Sequence, residues 1–106
     1  MEWLQLSQVV EREIAPGFHG RMVHAETMTI VYWRIDAAAS LPVHAHVHEQ
    51  VVNVLEGDFE LTVGDETRRL GPGDIVVVPS NVRHCGRAIT PCRIIDVFHP
   101  VRTDYR

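Results

Sequence analysis

Residues 44–57 read HAHVHEQVVNVLEG: three histidines within five residues, then Glu-Gln, then an apolar run that stops at a glycine. In a β-strand, side chains at positions i and i+2 lie on one face, with about 7 Å between their Cα atoms. His44 and His46 therefore have a spacing that suits two ligands of one metal ion. Gln50 has the same parity, and His84 follows a second apolar run. The pattern predicts four donors that converge on one point.

The chain around this stretch predicts β structure. Segments rich in β-branched and aromatic residues alternate with breaks at Gly, Pro, Asn and Asp, and they lie at residues 27–35, 50–55, 59–63, 75–78 and 93–98. Gly64-Asp65 predicts a tight hairpin turn. Apolar residues near the N-terminus allow either a short amphipathic turn or an edge strand: Trp3, Leu4, Leu6, Val9 and Val10. Many short strands without helices between them predict an all-β sandwich or barrel.

Length, composition and charge limit the class of protein. The 106 residues, 45% of them apolar, are enough for one domain with its own core. The net charge of −4 comes without a Lys/Arg cluster, which disfavours a nucleic acid partner. Neither a secretion signal nor a membrane-spanning apolar run occurs, so we expect a cytoplasmic protein. Cys85 and Cys92 lack a metal or redox spacing and are expected to be free thiols.

The histidine pattern resembles that of the cupins. Their first motif has the form G-x5-H-x-H-x(3 or 4)-E-x6-G, and their second has the form G-x5-P-x-G-x2-H-x3-N. The matching residues here are His44, His46 and Gly57 in the first motif and Gly73, Pro79 and His84 in the second. The departures are Ala38, Gln50, Asn81 and Ala88, which stand for glycine, glutamate, glycine and asparagine.

The resemblance implies a fold and a cofactor. The fold is a single-domain cupin jelly-roll barrel, the double-stranded β-helix, over residues 1–106, with residues 1–26 packed at an edge or at a dimer interface. The cofactor is a divalent transition metal inside the barrel, bound by His44, His46, Gln50 and His84. Short edge strands and the apolar N-terminal segment also predict a homodimer.

Gln50 stands where the family motif has an acidic ligand. An amide binds through a neutral oxygen, so the charge of the ion stays uncompensated, and the ion attracts anions and acts as a stronger Lewis acid. This donor set favours an anionic substrate, and it suits Ni, Zn, Mn, Fe or Cu without choosing among them. Two alternatives stay open: Gln50 could bind only metal-bound water, and His48, of the same parity, could be a further donor.

The stretch IIDVFHPVRTDY, residues 94–105, makes the resemblance closer. Together with H-x-H-x-H-E-Q, it is similar to the pectin-degradation cupins, whose chains end in D-V-F-x-P-x-R-x-D-Y. That resemblance implies a carbohydrate enzyme of lyase or isomerase type, which opens 4,5-unsaturated monouronates from pectin or alginate into linear keto sugars. Asp96 and Arg102 would be catalytic, and Phe98 and Arg102 would bind substrate. Arg102 can grip a carboxylate, and Asp96 can move a proton.

Other interpretations stay open at this point. Asp96 could be a core carboxylate with Arg102 as its solvated partner. Cupins with three histidines include dioxygenases, in which Fe or Cu activates oxygen, and a non-catalytic cupin module could merely bind a sugar acid. Trp33 is expected in the core or at a dimer contact, with a stacking wall for a sugar as a second possibility.

Overall fold

The computed structural model describes all 106 residues, and 56% of them lie in strands. Ten strands and two 3-10 turns follow one another, so the all-β prediction is confirmed. The strands are β1 (Glu11–Ala15), β2 (Phe18–His24), β3 (Thr29–Ile35), β4 (Ser40–His44), β5 (Glu49–Glu56), β6 (Phe59–Val63), β7 (Glu66–Leu70), β8 (Ile75–Val78), β9 (His84–Ala88) and β10 (Cys92–His99). The 3-10 turns span Leu6–Gln8 and Thr103–Tyr105. No helix has the length and apolarity needed to cross a membrane.

The strands form two antiparallel sheets that pack as the predicted jelly-roll barrel. The larger sheet has the order β1-β2-β3-β10-β5-β8, and the smaller has the order β4-β9-β6-β7. The side chains of both sheets meet in one apolar core, with Val31 and Val54 from the larger sheet and Phe59 and Leu61 from the smaller. The predicted turn at Gly64 joins β6 to β7.

Alternation along the central strands carries polar residues inward with the apolar ones. In β10, Ile94, Asp96 and Phe98 are all buried, and in β5 the buried set begins with Gln50. Side chains two positions apart share a face. Polar residues in the same row as the buried apolar residues therefore also point into the barrel. One end of the core is therefore lined by groups that can carry chemistry.

The sequence did not predict every strand. β1 is mostly exposed, with charged side chains, so it lacks the alternation that marks a half-buried strand. β2 and β9 also lie outside the predicted segments. β7 is the second strand of the hairpin predicted at Gly64-Asp65. Near the N-terminus, residues Leu6–Gln8 form a 3-10 turn, and the edge strand is β1 instead. The two cysteines are free, as expected.

Backbone conformation accounts for the glycines of the family motifs. Gly57 and Gly73 match motif glycines and have φ of 88° and 90°. Ala38 and Asn81, which replace the other two, are the non-glycine residues with positive φ, at 68° and 64°. The turns keep their left-handed shape even where the side chain opposes it.

Candidate functional site

Three histidines meet at one end of the barrel. His44 ends β4 and lies opposite His84, the first residue of β9, with ring centroids 4.2 Å apart. His46 lies in the loop after β4, so the expectation that it shares a strand with His44 is wrong. The loop nevertheless brings its ring to 4.9 Å from that of His84. One possible ligand atom from each of the three histidines lies within 4.8 Å of the others.

The main chain fixes the orientation of each ring. His44 Nδ1 lies 2.8 Å from the Pro42 carbonyl oxygen, His46 Nδ1 lies 3.0 Å from that of His48, and His84 Nδ1 lies 2.9 Å from that of Val82. A carbonyl oxygen only accepts hydrogen bonds, so each Nδ1 carries the proton and each Nε2 keeps its lone pair. This arrangement is typical of histidines that bind metal through Nε2.

Two buried atoms among the four predicted ligands have no hydrogen-bond partner in the protein: His84 Nε2 and Gln50 Oε1. Buried polar atoms normally have a partner, and a divalent metal would serve both. Three imidazole nitrogens and an amide oxygen are a suitable donor set for such an ion. The residues present therefore fit a divalent transition metal.

His48 stays outside this group. Its carbonyl oxygen orients His46, and its ring lies against Phe98, with 6.4 Å between centroids. It does not belong to the cluster of possible ligands. Its Nδ1 is buried without a hydrogen-bond partner, but the ring does not lie with the three that converge, so the structure does not bring His48 into the ligand set.

Burial favours the neutral form of His46 and His84. Loss of solvation lowers the pKa of His46 to about 4, and the positive charge of Arg102 acts in the same direction. Burial also lowers the pKa of His84. Neutral imidazole is the form that binds metal, because a proton and a metal ion compete for the same lone pair.

Asp96 lies in the core-facing row of β10 and is buried. Its Oδ2 accepts a hydrogen bond of 2.9 Å from Trp33 Nε1, while its Oδ1 is buried without a partner. Burial raises the pKa of Asp96 to about 6, against the opposing effects of Gln50, Trp33 and Arg102. A carboxyl with this pKa can take up and release a proton near neutral pH.

Arg102 is also buried, so its interpretation as a solvated partner of Asp96 is wrong. Its Nε and Nη2 donate to the two carboxylate oxygens of Asp104 at 3.0 and 2.7 Å. Its guanidinium lies 4.7 Å from the ring centroid of Phe98 and 4.1 Å from that of Tyr105. Asp104 occupies one edge of the fork, which leaves Nη1 and one Nη2 hydrogen for a ligand.

A single cavity is lined by all the residues singled out in the sequence: His44, His46, Gln50, His84, Asp96, Phe98 and Arg102. Asp96 and Arg102 are the only Asp, Glu, Lys or Arg residues in its wall. Sequence reasoning missed the pairing of Trp33 with Asp96 and the contacts of Asp104 and Tyr105 with Arg102. The last two lie within three residues of Arg102, and their charge and aromatic character were available as a signal.

Known proteins with similar sequences or structures cover the whole length of the fold. The model of the cupin domain family matches residues 31–98. KdgF from Halomonas sp. is 29% identical with a TM-score of 0.92, over 100% of this chain and 99% of that chain. An RmlC-like cupin from Shewanella frigidimarina is 31% identical with a TM-score of 0.94, over 100% of this chain and 96% of that chain.

A further relative has a description that names no activity. A Streptomyces coelicolor protein described as uncharacterized is 29% identical over 91 residues, which are 85% of this chain and 87% of that protein. The family model alone spans well over half of the chain, and the barrel and histidine cluster agree with it. The chain therefore belongs to the cupin family.

Proposed function

We propose that this cupin is a metal-dependent enzyme that opens 4,5-unsaturated monouronates, released from pectin or alginate, to linear keto sugars. One observation carries the proposal: a single cavity holds a histidine cluster, a buried arginine with free donors and a buried carboxyl with one unpartnered oxygen. KdgF from Halomonas sp. is similar to this chain over its whole length, and the activity is the one that the resemblance to the pectin-degradation cupins implies. His44, His46, Gln50 and His84 would bind a divalent metal.

The cavity suits an anionic sugar. Arg102 carries the only permanent positive charge in the wall, and its free Nη1 edge can donate to a substrate carboxylate. Phe98 and Tyr105 enclose the guanidinium, which lowers its solvation and strengthens its attraction for an anion. Because the ligand set is neutral, a bound divalent metal keeps its full charge and supplies Lewis-acid polarisation of a substrate oxygen.

Asp96 would move the proton. Ring opening removes a proton from the anomeric hydroxyl as the bond between the anomeric carbon and the ring oxygen breaks. The electron pair of the broken bond stays on the ring oxygen and leaves an enolate at C5, which becomes a ketone when C4 gains that same proton, so the composition of the sugar does not change. One carboxyl can accept the first proton and return it, and Asp96 Oδ1 is the free oxygen for both transfers.

The test is incubation of metal-loaded protein with an unsaturated monouronate while the absorbance of the double bond is followed. We expect a fast loss of absorbance that a chelator abolishes. Arg102→Ala should abolish it as well while metal content stays unchanged. If the absorbance falls no faster with metal-loaded protein than it does spontaneously, the proposal is contradicted.

The same samples distinguish the alternatives. Oxygen uptake with a phenolic or thiol substrate would indicate a dioxygenase. Saturable binding of the uronate without turnover would indicate a non-catalytic binding module.

A further inference from the structure

We infer that Trp33 is a positioning residue, whose indole N–H holds one oxygen of Asp96 so that the other oxygen is presented to the cavity. The inference rests on the proposed function, because it assigns Trp33 a part in the proton transfers of Asp96. Trp33 would act through Asp96 rather than on the substrate itself.

Strand pairing brings the two side chains together. Trp33 lies in β3 opposite Ile94 of β10, and Asp96 lies opposite Val31 of β3. Trp33 and Asp96 are therefore diagonal neighbours on the inner face of the larger sheet, a separation that a long aromatic side chain can bridge. Nε1 donates to Oδ2 over 2.9 Å, and both residues are buried.

The indole ring is held on two other sides. Phe18 packs edge-on against it, with 5.9 Å between ring centroids and an angle of 86° between the planes. Gly20 of β2 lies opposite Trp33, and a Cβ there would lie 2.8 Å from Cζ3 of the ring. The ring thus fills the space that a side chain at position 20 would need. Its N–H direction is set by neighbours that take no part in the hydrogen bond.

The direction of this hydrogen bond decides which oxygen is free. Indole is a donor only, so Oδ2 always accepts from Trp33 and cannot share its proton with the ring. Any proton that Asp96 carries therefore belongs on Oδ1, which is buried without a partner. Without the indole N–H, Gln50 would be the remaining side-chain hydrogen-bond partner of the carboxyl, and either oxygen could be brought to the cavity. Small misplacements of a catalytic group are costly, about 100-fold for about 1 Å.

The first experiment measures kinetics of the metal-loaded protein. Trp33→Phe removes the donor, and β-(benzothien-3-yl)alanine at position 33 replaces N–H by sulfur while it keeps the shape of the ring. We expect kcat to fall about 10- to 100-fold in both, with KM and metal content unchanged. The control is Tyr32→Phe on the opposite face of β3, which leaves Trp33, Phe18 and Gly20 in place, and it should change kcat by about twofold at most.

The second readout needs no activity. The chain has two tryptophans, so the spectrum of the ¹⁵N-labelled protein contains two indole N–H signals. Trp3 is 90% exposed and serves as an internal reference. We expect the Trp33 signal to be downfield and slow to exchange with solvent. Asp96→Leu should move it upfield and speed its exchange, and Asp96→Asn should do so to a smaller extent.

The outcomes separate this inference from the proposed function. A Trp33 signal that does not respond to either Asp96 variant overturns the inference, and so do Trp33 variants that keep kcat within about twofold of the wild-type value. If the wild-type protein is inactive on uronates, the proposed function is contradicted. The indole N–H signals still test whether Trp33 donates a hydrogen bond to Asp96.

Discussion

His44 and His84 face each other across the β4–β9 pairing although they are forty residues apart in sequence. A cross-strand pair of this kind is close because of sheet register, not because of chain proximity. The smaller sheet thus fixes the positions of His44 and His84. His46, the third histidine of the cluster, lies in a loop.

Loss of His84 should therefore remove the metal. We expect His84→Ala to weaken metal affinity about 100-fold or more, since three histidines supply most of the donors. His48→Ala is the matched control, because His48 lies outside the cluster and alanine retains the carbonyl oxygen that orients His46. Metal content after dialysis checks both variants, and a metal-free His48→Ala protein would contradict this assignment of ligands.

We expect Gln50→Glu to raise the affinity for the metal and to lower the affinity for the substrate. A carboxylate in place of the buried, unpartnered amide oxygen binds a divalent ion more strongly but neutralises part of its charge. We expect slower metal loss to a chelator and a rise of KM for the uronate of about 10-fold. Gln50→Ala, which offers no donor, is the comparison. An unchanged KM in Gln50→Glu would show that the charge of the ion does not attract the substrate.

Asp104→Asn should weaken substrate binding through Arg102. The two charge-assisted hydrogen bonds to Arg102 fix its guanidinium between Phe98 and Tyr105. Without them we expect KM to rise about 5- to 10-fold with a smaller change in kcat. Glu66→Gln removes the acid of the exposed Arg68–Glu66 pair and should leave the steady-state kinetics unchanged. Equal effects of the two substitutions would argue against a specific role of Asp104.

In the metal-free protein, acid should act in opposite directions on two buried groups, His46 and Asp96. The pKa of His46 falls from 6.5 to about 4 on folding. Between these values the unfolded chain binds the proton, so acidification lowers the free energy of unfolding, by about 1 to 2 kcal/mol for this half-buried ring. The pKa of Asp96 rises from 3.8 to about 6, so the folded protein binds the proton and acidification stabilises it.

Asp96→Asn separates the two effects. With the carboxyl gone, the free energy of unfolding should fall more steeply between pH 6.5 and 4 than in the wild-type protein. Urea unfolding at several pH values, with chelator present, measures the slope. Parallel curves for the two proteins would show that Asp96 does not have a raised pKa in the fold.

Ala38→Gly should stabilise the protein. Ala38 has a φ of 68°, a conformation that costs a residue with a Cβ about 1 kcal/mol relative to glycine. Ala37→Gly is the control, because Ala37 is not among the residues with positive φ and gains only unfolded-state entropy from the change. Urea midpoints should rise for position 38 and fall or stay unchanged for position 37.

The predicted parity was wrong for His46, which lies in a loop. The sequence did predict the most apolar strands and the parity of the polar residues within β5 and β10, because both follow from a period of two. Gln50 and Asp96 could be placed inside the barrel in this way. The charged strand β1 has no such pattern and was missed. β7 has none either and was expected only as the partner of β6 in the hairpin at Gly64-Asp65. The contact between Trp33 and Asp96 depends on β3 lying next to β10, a pairing between distant segments that no local pattern contains. The homodimer stays a prediction.

The three histidine rings owe their tautomer to the carbonyl oxygens of Pro42, His48 and Val82, each two positions from the ring that it holds. A main-chain acceptor is present whatever side chain its residue carries. Substitutions around the rings can therefore accumulate over evolution without disturbing the tautomer, provided that the backbone keeps its path. The metal-binding chemistry is tied to the shape of the barrel, so a lineage can change the rest of the cavity wall, and with it the substrate, one residue at a time.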